Sequence, residues 1–343
     1  MPRVKRPVTL ATVATSAGVS IATVSKVLNG RSDVSLATRR RVQDVLQKHG
    51  YVGRRTEPAE RGSVELFYQG VVNSYSLEVI QGVVEAGQLA GVDVVLTTRP
   101  PRPHPQTSST ARAARWIQDL IASGRRAAIG ISSELSDADL AALSRARLPF
   151  VVVDPANTPA PGVTSVGSTN FAGGMAATQH LLSLGHRRIA YLGGPATSGC
   201  AKARMSGFRS AMEAVGAAVP KEYVRLQDSR YDDGLAGGAI LLDLPDPPTA
   251  IFAGTDEAAL GVIEAARARG LRVPEDLSVV GFDDTQVARL ASPPLTTVKQ
   301  PLQDMGAVAL RTALQLAAGE KVDSHHVELA TSLVVRGSAA ATS

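Results

Sequence analysis

Two residue classes are nearly missing from this chain: of its 343 residues only one, Cys200, is cysteine, and 4% are aromatic. A single cysteine excludes an intramolecular disulfide and fits a reducing compartment. With so few rings, the core must be built from Val, Leu, Ile and Ala. No segment approaches the roughly 18 consecutive apolar residues of a membrane span. The opening MPRVKRPVTLATV has no apolar run of secretory-signal length. These absences predict a soluble, cytoplasmic protein.

Catalytic signatures are missing as well. No two glycines are separated by one residue and none precedes a lysine, so neither a G-x-G-x-x-G turn nor a P-loop occurs. There is no G-x-S-x-G elbow. His180 and His186 stand six positions apart, and no group of Cys, His and acidic residues has metal-ligand spacing. His325 and His326 read as surface residues, and Cys200 as an ordinary free thiol in a loop. No enzyme activity, metal or cofactor is expected.

What the chain does contain is divided by charge. Residues 1–61 hold twelve Lys/Arg against four Asp/Glu, a net +8; the remainder holds 24 basic and 27 acidic residues, a net −3. A basic head on a mildly acidic body is the pattern of a polyanion-binding module joined to something else.

The head is also periodic. Leu10, Val13, Ala14 and Ala17 share one helical face, with Thr9 as N-cap and Gly18 as terminator. Ser20 caps a second helix with Val24, Val27 and Leu28 turned inward, closed by Asn29-Gly30. Ser35 caps a third, with Val42, Val45, Leu46 and His49 inside and Gly50 at its end. Three short helices with a glycine turn between the first two form a helix-turn-helix. In such a unit the first turn of the second helix meets base edges in the major groove. Ile21 and Ala22 occupy that turn and are suited to thymine methyl groups, while Lys26, one turn on, reaches a guanine or a phosphate. Thr9, Ser20, Thr23 and Asn29 are small polar residues near helix ends, suited to phosphate oxygens.

The stretch TLATVATSAGVSIATVSKVLNG, followed by VSLATRRRV and GY, resembles the DNA-binding head of the lactose-repressor (LacI/GalR) family of bacterial transcription regulators. One departure is Thr12, where the family usually has an acidic residue.

From Val64 onward, strand-like runs (VELFY, DVVLTT, AAIGIS, FVVVD, RIAYLGG, TAIFAG, LSVVGF) alternate with amphipathic helical stretches. Examples of the latter are Leu77–Ala90, Ser136–Ala146, Gly173–Leu184, Arg204–Val215 and Glu257–Arg269. This alternation predicts an α/β fold with parallel sheets covered on both faces. TTRPPRPHPQTSST reads as a surface loop within it. The segments QHLLSLGHRRIAYLGGP, ARMSGF, PTAIFAGTDEAALGVIEAARARGLRVPEDLSVVGFDD and SPPLTTVKQPLQDMG extend the same resemblance over the body. It implies a head and linker over 1–61 and a periplasmic-binding-protein-like effector domain over 62–343. The two subdomains would be about 62–167 with 299–322, and 168–296 with 326–337.

A ligand would lie between the subdomains, at the carboxyl ends of the strands. Asp154 and Asp283 end strands there, and Asn73 and Tyr75 follow the first strand. The resemblance places a ligand-contacting arginine at Arg204, whose alternative role is a salt bridge between the subdomains with one of those carboxylates. It places ligand-stacking aromatics at Phe171 and Tyr231, and a polar contact at Thr255, where the family more often has Asn. Family members also carry a hinge helix with a leucine wedge. The linker GYVGRRTEPAERGSVE has Pro58 and no leucine before Leu66, which leaves Arg54 and Arg55 to bind phosphates or a narrow minor groove, or to lie in a solvated linker.

Together these features predict a homodimeric repressor of sugar-utilisation genes on a palindromic operator, nucleoid-associated when bound, and released by a carbohydrate in the cleft. The alternatives are a corepressor-type regulator answering to a purine or other metabolite, and a non-regulatory sugar-binding protein.

Overall fold

The computed structural model describes residues 9–28, 34–48, 62–69, 72–99, 110–133, 135–155, 162–228 and 230–342. They form two compact units, divided between Arg61 and Gly62.

The first unit holds helices α1 (Leu10–Ala17), α2 (Ile21–Leu28) and α3 (Leu36–Lys48). Thr9 caps α1 by accepting the Thr12 N–H at 3.3 Å. Gly18 ends α1 at φ 65° with its N–H on Ala14 and Thr15 carbonyls. A side chain there would be strained by about 1–2 kcal/mol. The chain turns through 99° between α1 and α2, the angle of a helix-turn-helix. Val13, Val24 and Val42, one from each helix, are fully buried together, with Ala14, Ala17 and Val27 around them.

The second unit contains two sheets. The first is ordered β11-β5-β4-β3-β1-β2 and wholly parallel. Its strands are β1 (Ser63–Gln69), β2 (Asp93–Arg99), β3 (Arg125–Ile131), β4 (Phe150–Val153), β5 (Thr164–Ser168) and β11 (His326–Leu329). The second is ordered β12-β10-β9-β8-β6-β7 and parallel except at β12. It comprises β6 (Ile189–Gly193), β7 (Val224–Leu226), β8 (Ala250–Ala253), β9 (Ser278–Asp283), β10 (Thr296–Lys299) and β12 (Ser332–Val334).

Both faces of each sheet are covered. In the first, Val64 and Leu66 of β1 point toward α4 (Ser74–Ala90) and α12 (Leu302–Ala317), while Phe67 points toward α5 (Thr110–Ala122) and α6 (Asp137–Ala146). In the second, Ala190 and Leu192 of β6 share a core with α9 (Tyr231–Leu242), α10 (Asp256–Arg267) and the short α11 (Gln286–Leu290). Ile189 and Tyr191 face α7 (Asn170–Ser183) and α8 (Gly199–Ala214) instead. This is the period-two alternation of a strand buried on both sides.

Two sequence expectations change here. TTRPPRPHPQTSST is structured at its ends: Thr97, Thr98 and Arg99 finish β2, and Thr110 opens α5. The segment 326–337 does not join the second subdomain whole. β11 pairs with β5 in the first sheet, and only β12 reaches the second. The reason is that α12 covers the first sheet, so the chain leaving it returns to that sheet's edge before crossing.

The chain therefore passes between the lobes three times, after β5, after β10 and after β11. The crossings are tied together. Thr169 donates its N–H to Leu329 and accepts the Thr331 N–H, each at 2.9 Å. Ser168 donates to Gln300, whose amide donates on to Asp283 at 2.6 Å.

Candidate nucleic-acid interface and ligand cleft

In the head, Ile21 is 52% exposed, an unusual position for isoleucine. Ala22 and Lys26 are exposed beside it on α2. Ser20 accepts the Thr23 N–H at 3.1 Å, and the two hydroxyls lie 2.9 Å apart. Thr9 and Thr12 pair in the same manner at 3.0 Å, so Thr12 supports the cap in place of an acidic residue. Thr9, Ser20 and Thr23 thus serve the helix ends and remain at the surface edge of the unit. Asn29, Arg54, Arg55, His49 and the linker up to residue 61 lie outside the described residues.

The core unit has a cavity of about 400 Å³ between its lobes, within the ~300–1,000 Å³ of ligand sites. It sits where each sheet reverses its strand order, between β1 and β3 and between β6 and β8. Six of the expected residues line it: Asn73, Tyr75, Asp154, Arg204, Thr255 and Asp283.

Three lining residues at strand ends carry positive φ: Ser132 at 45°, Asp154 at 43° and Asp283 at 118°. Such conformations cost of order 1–3 kcal/mol each and concentrate at functional sites. The side chains of these residues line the cleft.

Arg204 is the hub. Its Nε donates to Asn170 Oδ1 at 2.7 Å and Nη1 to the Gly254 carbonyl at 2.6 Å. Nη1 lies 3.7 Å from Asp283 Oδ1, and the guanidinium stacks 3.8 Å above the Phe282 ring. All of these partners belong to the second lobe, so the salt bridge lies within that lobe and does not join the two. Burial pushes the Asp283 carboxyl well up; Arg204 opposes this, and Asp256 adds to it.

Asp154 faces Arg204 from the first lobe. Its Oδ2 accepts the Tyr75 hydroxyl at 2.7 Å, while its buried Oδ1 meets no N–H or O–H donor. Burial raises its pKa, and the Tyr75 hydrogen bond and the Arg204 charge lower it. Cys200 is not in a loop: it is the second residue of α8, lines the cleft, and its thiol is pushed up by burial and by Asp154.

Phe171 and Tyr231 stand outside the cavity, 43% and 42% exposed. One position before Phe171, Asn170 takes the inward place on α7 and holds Arg204. The cavity's aromatic rings are Tyr68, Tyr75 and Tyr191 instead. Ser74, Asp228 and Glu257 also line it. Their signal was positional only: Ser74 and Glu257 open helices that follow strands. Asp256, next to Glu257, is buried and accepts from Thr285 and Thr297, anchoring the start of α10.

Comparison with known proteins decides what this pairing of units is. Residues 9–53 match the family described as bacterial regulatory proteins, lacI family, and residues 178–339 match the periplasmic binding protein-like domain. The transcriptional regulator CelR of Thermobifida fusca is 35% identical over 98% of this chain and 100% of its own. The chain belongs to the LacI family. The transcriptional regulator DegA of Bacillus subtilis is 33% identical over 96% of this chain and 97% of its own. Among solved structures, the CelR–cellobiose complex superposes with a TM-score of 0.72 at 34% identity, covering 96% of this chain and 99% of that one. The lac repressor dimer bound to operator and the anti-inducer ONPF gives 0.78 at 28% identity, covering 98% and 100%. No single described helix of this LacI-family protein is long and apolar enough to cross a membrane.

Proposed function

We propose that this LacI-family protein is a cytoplasmic transcriptional repressor that binds a palindromic operator as a homodimer and is released from it by a carbohydrate. The observation that carries the reading is one chain holding both a helix-turn-helix with an exposed apolar recognition turn and a strained, acid-lined interlobe cavity. Ile21, Ala22 and Lys26 read bases, with Thr9, Ser20 and Thr23 close to phosphates. Asn73, Tyr75, Asp154, Arg204, Thr255 and Asp283 receive the ligand. The protein acts by binding, without turnover. The relatives support a sugar effector: CelR was solved with cellobiose. Ligand and operator are linked, so the factor by which sugar weakens operator binding equals the factor by which operator weakens sugar binding.

The test selects operators from random DNA with the full chain, then titrates cellobiose and other neutral sugars against the selected duplex by fluorescence anisotropy. Release by a sugar is expected. Tighter operator binding on adding a ligand would make the protein a corepressor-type regulator, and absence of a selected sequence would retire the reading.

A further inference from the structure

We propose that the cleft selects an uncharged or cationic polyol and rejects phosphorylated and carboxylated ones, with Glu257 and Asp228 setting this selectivity. The inference rests on the carbohydrate-effector reading and refines it.

Among the described residues, four carboxylates line the cavity, Asp154, Asp228, Glu257 and Asp283, against one lining cation, Arg204, with Arg230 acting on the lining Tyr68. Even with Arg230 counted, the carboxylates outnumber the arginines. Much of the arginine is already engaged: Nε and Nη1 hold the Asn170 and Gly254 oxygens, Nη1 pairs with Asp283, and the guanidinium lies on the Phe282 ring.

Helix N-termini are the other usual seat of an anion. Three helices of twelve residues or more begin on the cavity wall, and a side chain of the protein caps each, whereas the five-residue helix Gln286–Leu290 starts there at Thr285 without a side-chain cap. Asn73 caps α4 by accepting the Ser76 N–H at 3.0 Å. Ser198 caps α8 through the Ala201 N–H at 3.3 Å, and Thr255 caps α10 through the Ala258 N–H at 3.2 Å. At α4 the closure is double. Glu257, from the opposite lobe, accepts both the Ser74 N–H at 3.1 Å and the Ser74 hydroxyl at 2.9 Å. A carboxylate thus occupies the place where a phosphate would bind.

One buried acceptor on the cavity wall has no N–H or O–H partner: Asp154 Oδ1, on a carboxylate that otherwise holds only the Tyr75 hydroxyl and the weakly donating Cys200 thiol; an acceptor left so poorly satisfied costs about 1–3 kcal/mol. A sugar hydroxyl or an ammonium group satisfies it, whereas a phosphate or carboxylate oxygen repels it.

The experiment uses the purified full chain and matched ligands: glucose, glucosamine and glucose 6-phosphate; galactose and galacturonate; cellobiose and its aldonate. Affinities are measured by calorimetry after a thermal-shift screen that also includes adenine, guanine and uridine. At least one neutral or amino sugar is expected to bind about tenfold or more tightly than its anionic partner. The double variant Asp228→Asn/Glu257→Gln is expected to narrow that ratio by about tenfold, from two removed charges acting through a partly aqueous cleft. An anionic ligand that binds wild-type protein as tightly as its neutral partner overturns the proposal, as does an unchanged ratio in the double variant. Binding of an uncharged nucleobase or nucleoside with no sugar binding sustains the charge selectivity and retires the carbohydrate reading. Silence from every uncharged and cationic ligand overturns both. Should the double variant not fold, the wild-type pairs alone decide.

Discussion

Replacing Arg204 with methionine removes a buried charge and leaves its partners in place. Arg204 is 7% exposed and Asp283 3%. The guanidinium makes two charge-assisted hydrogen bonds, one ion pair and one ring stack, at 2.7, 2.6, 3.7 and 3.8 Å. Summed singly, at about 1.5–3 kcal/mol per charged hydrogen bond and about 2 for a desolvated stack, these would exceed the real loss. Methionine keeps part of the contact with Phe282, and Asp283 retains the Gln300 amide donor. Removing one member of a buried ion pair typically costs about 3–5 kcal/mol, and we expect about 4 kcal/mol for Arg204→Met at pH 7. Adding Asp283→Asn should restore at least about 1 kcal/mol, because the stranded carboxylate is gone.

The assay is urea unfolding followed by fluorescence of Trp116, the chain's one tryptophan, on α5 of the core unit. The variants should also differ with pH. Burial holds the Asp283 carboxyl above its ordinary value, and Arg204 is the largest influence pulling it down. In Arg204→Met the folded state therefore binds that proton more readily than the unfolded state does. Its deficit should shrink as pH falls from 7 toward the ordinary aspartate range. A single variant within about 1 kcal/mol of wild type, or a double variant as unstable as the single one, would refute the electrostatic account of this hub.

Ile21→Ala should change which operator bases are tolerated, read by repeating the operator selection, whereas Thr23→Ala should weaken all sites alike; uniform loss in both would place base readout elsewhere. Gly174→Ala should destabilise the core by about 2 kcal/mol or more in thermal unfolding, because its Cβ would lie 2.3 Å from the Arg204 carbonyl oxygen. Binding of a neutral sugar should strengthen with rising pH and release protons, seen by calorimetry in buffers of different ionisation enthalpy. Burial raises the Asp154 carboxyl in the empty cleft, among Tyr75, Arg204, Cys200 and Glu328, and a ligand hydroxyl on Oδ1 would lower it again. Proton uptake on binding would contradict this.

The local rules were legible in the chain. Thr9, Ser20 and Ser35 cap helices because a short polar side chain meets a free N–H three residues on. Gly18 turns the chain because only a residue without Cβ enters φ 65° freely. Burial on two faces writes continuous apolar strands, so the β/α alternation and the strand-end positions of Asp154 and Asp283 could be read directly. Not every helix start could be: α8 begins at Gly199, before the apolar pattern that marks Arg204. Thr255 was read as a polar contact, and its hydroxyl is engaged in capping α10.

What the sequence determined alone was whatever depends on neighbours within one helical turn or one strand: the helix-turn-helix, the caps, the alternation of strands and helices, and the basic head. Tertiary structure decided the rest. β11 joins the first sheet because α12 packs there, and Asn170 displaces Phe171 from the cleft because Arg204 requires an oxygen at that point. Ser74 and Glu257 meet across the cleft although they are 183 residues apart. Such contacts have no local periodicity, since the free energy that selects them is shared among elements distant along the chain.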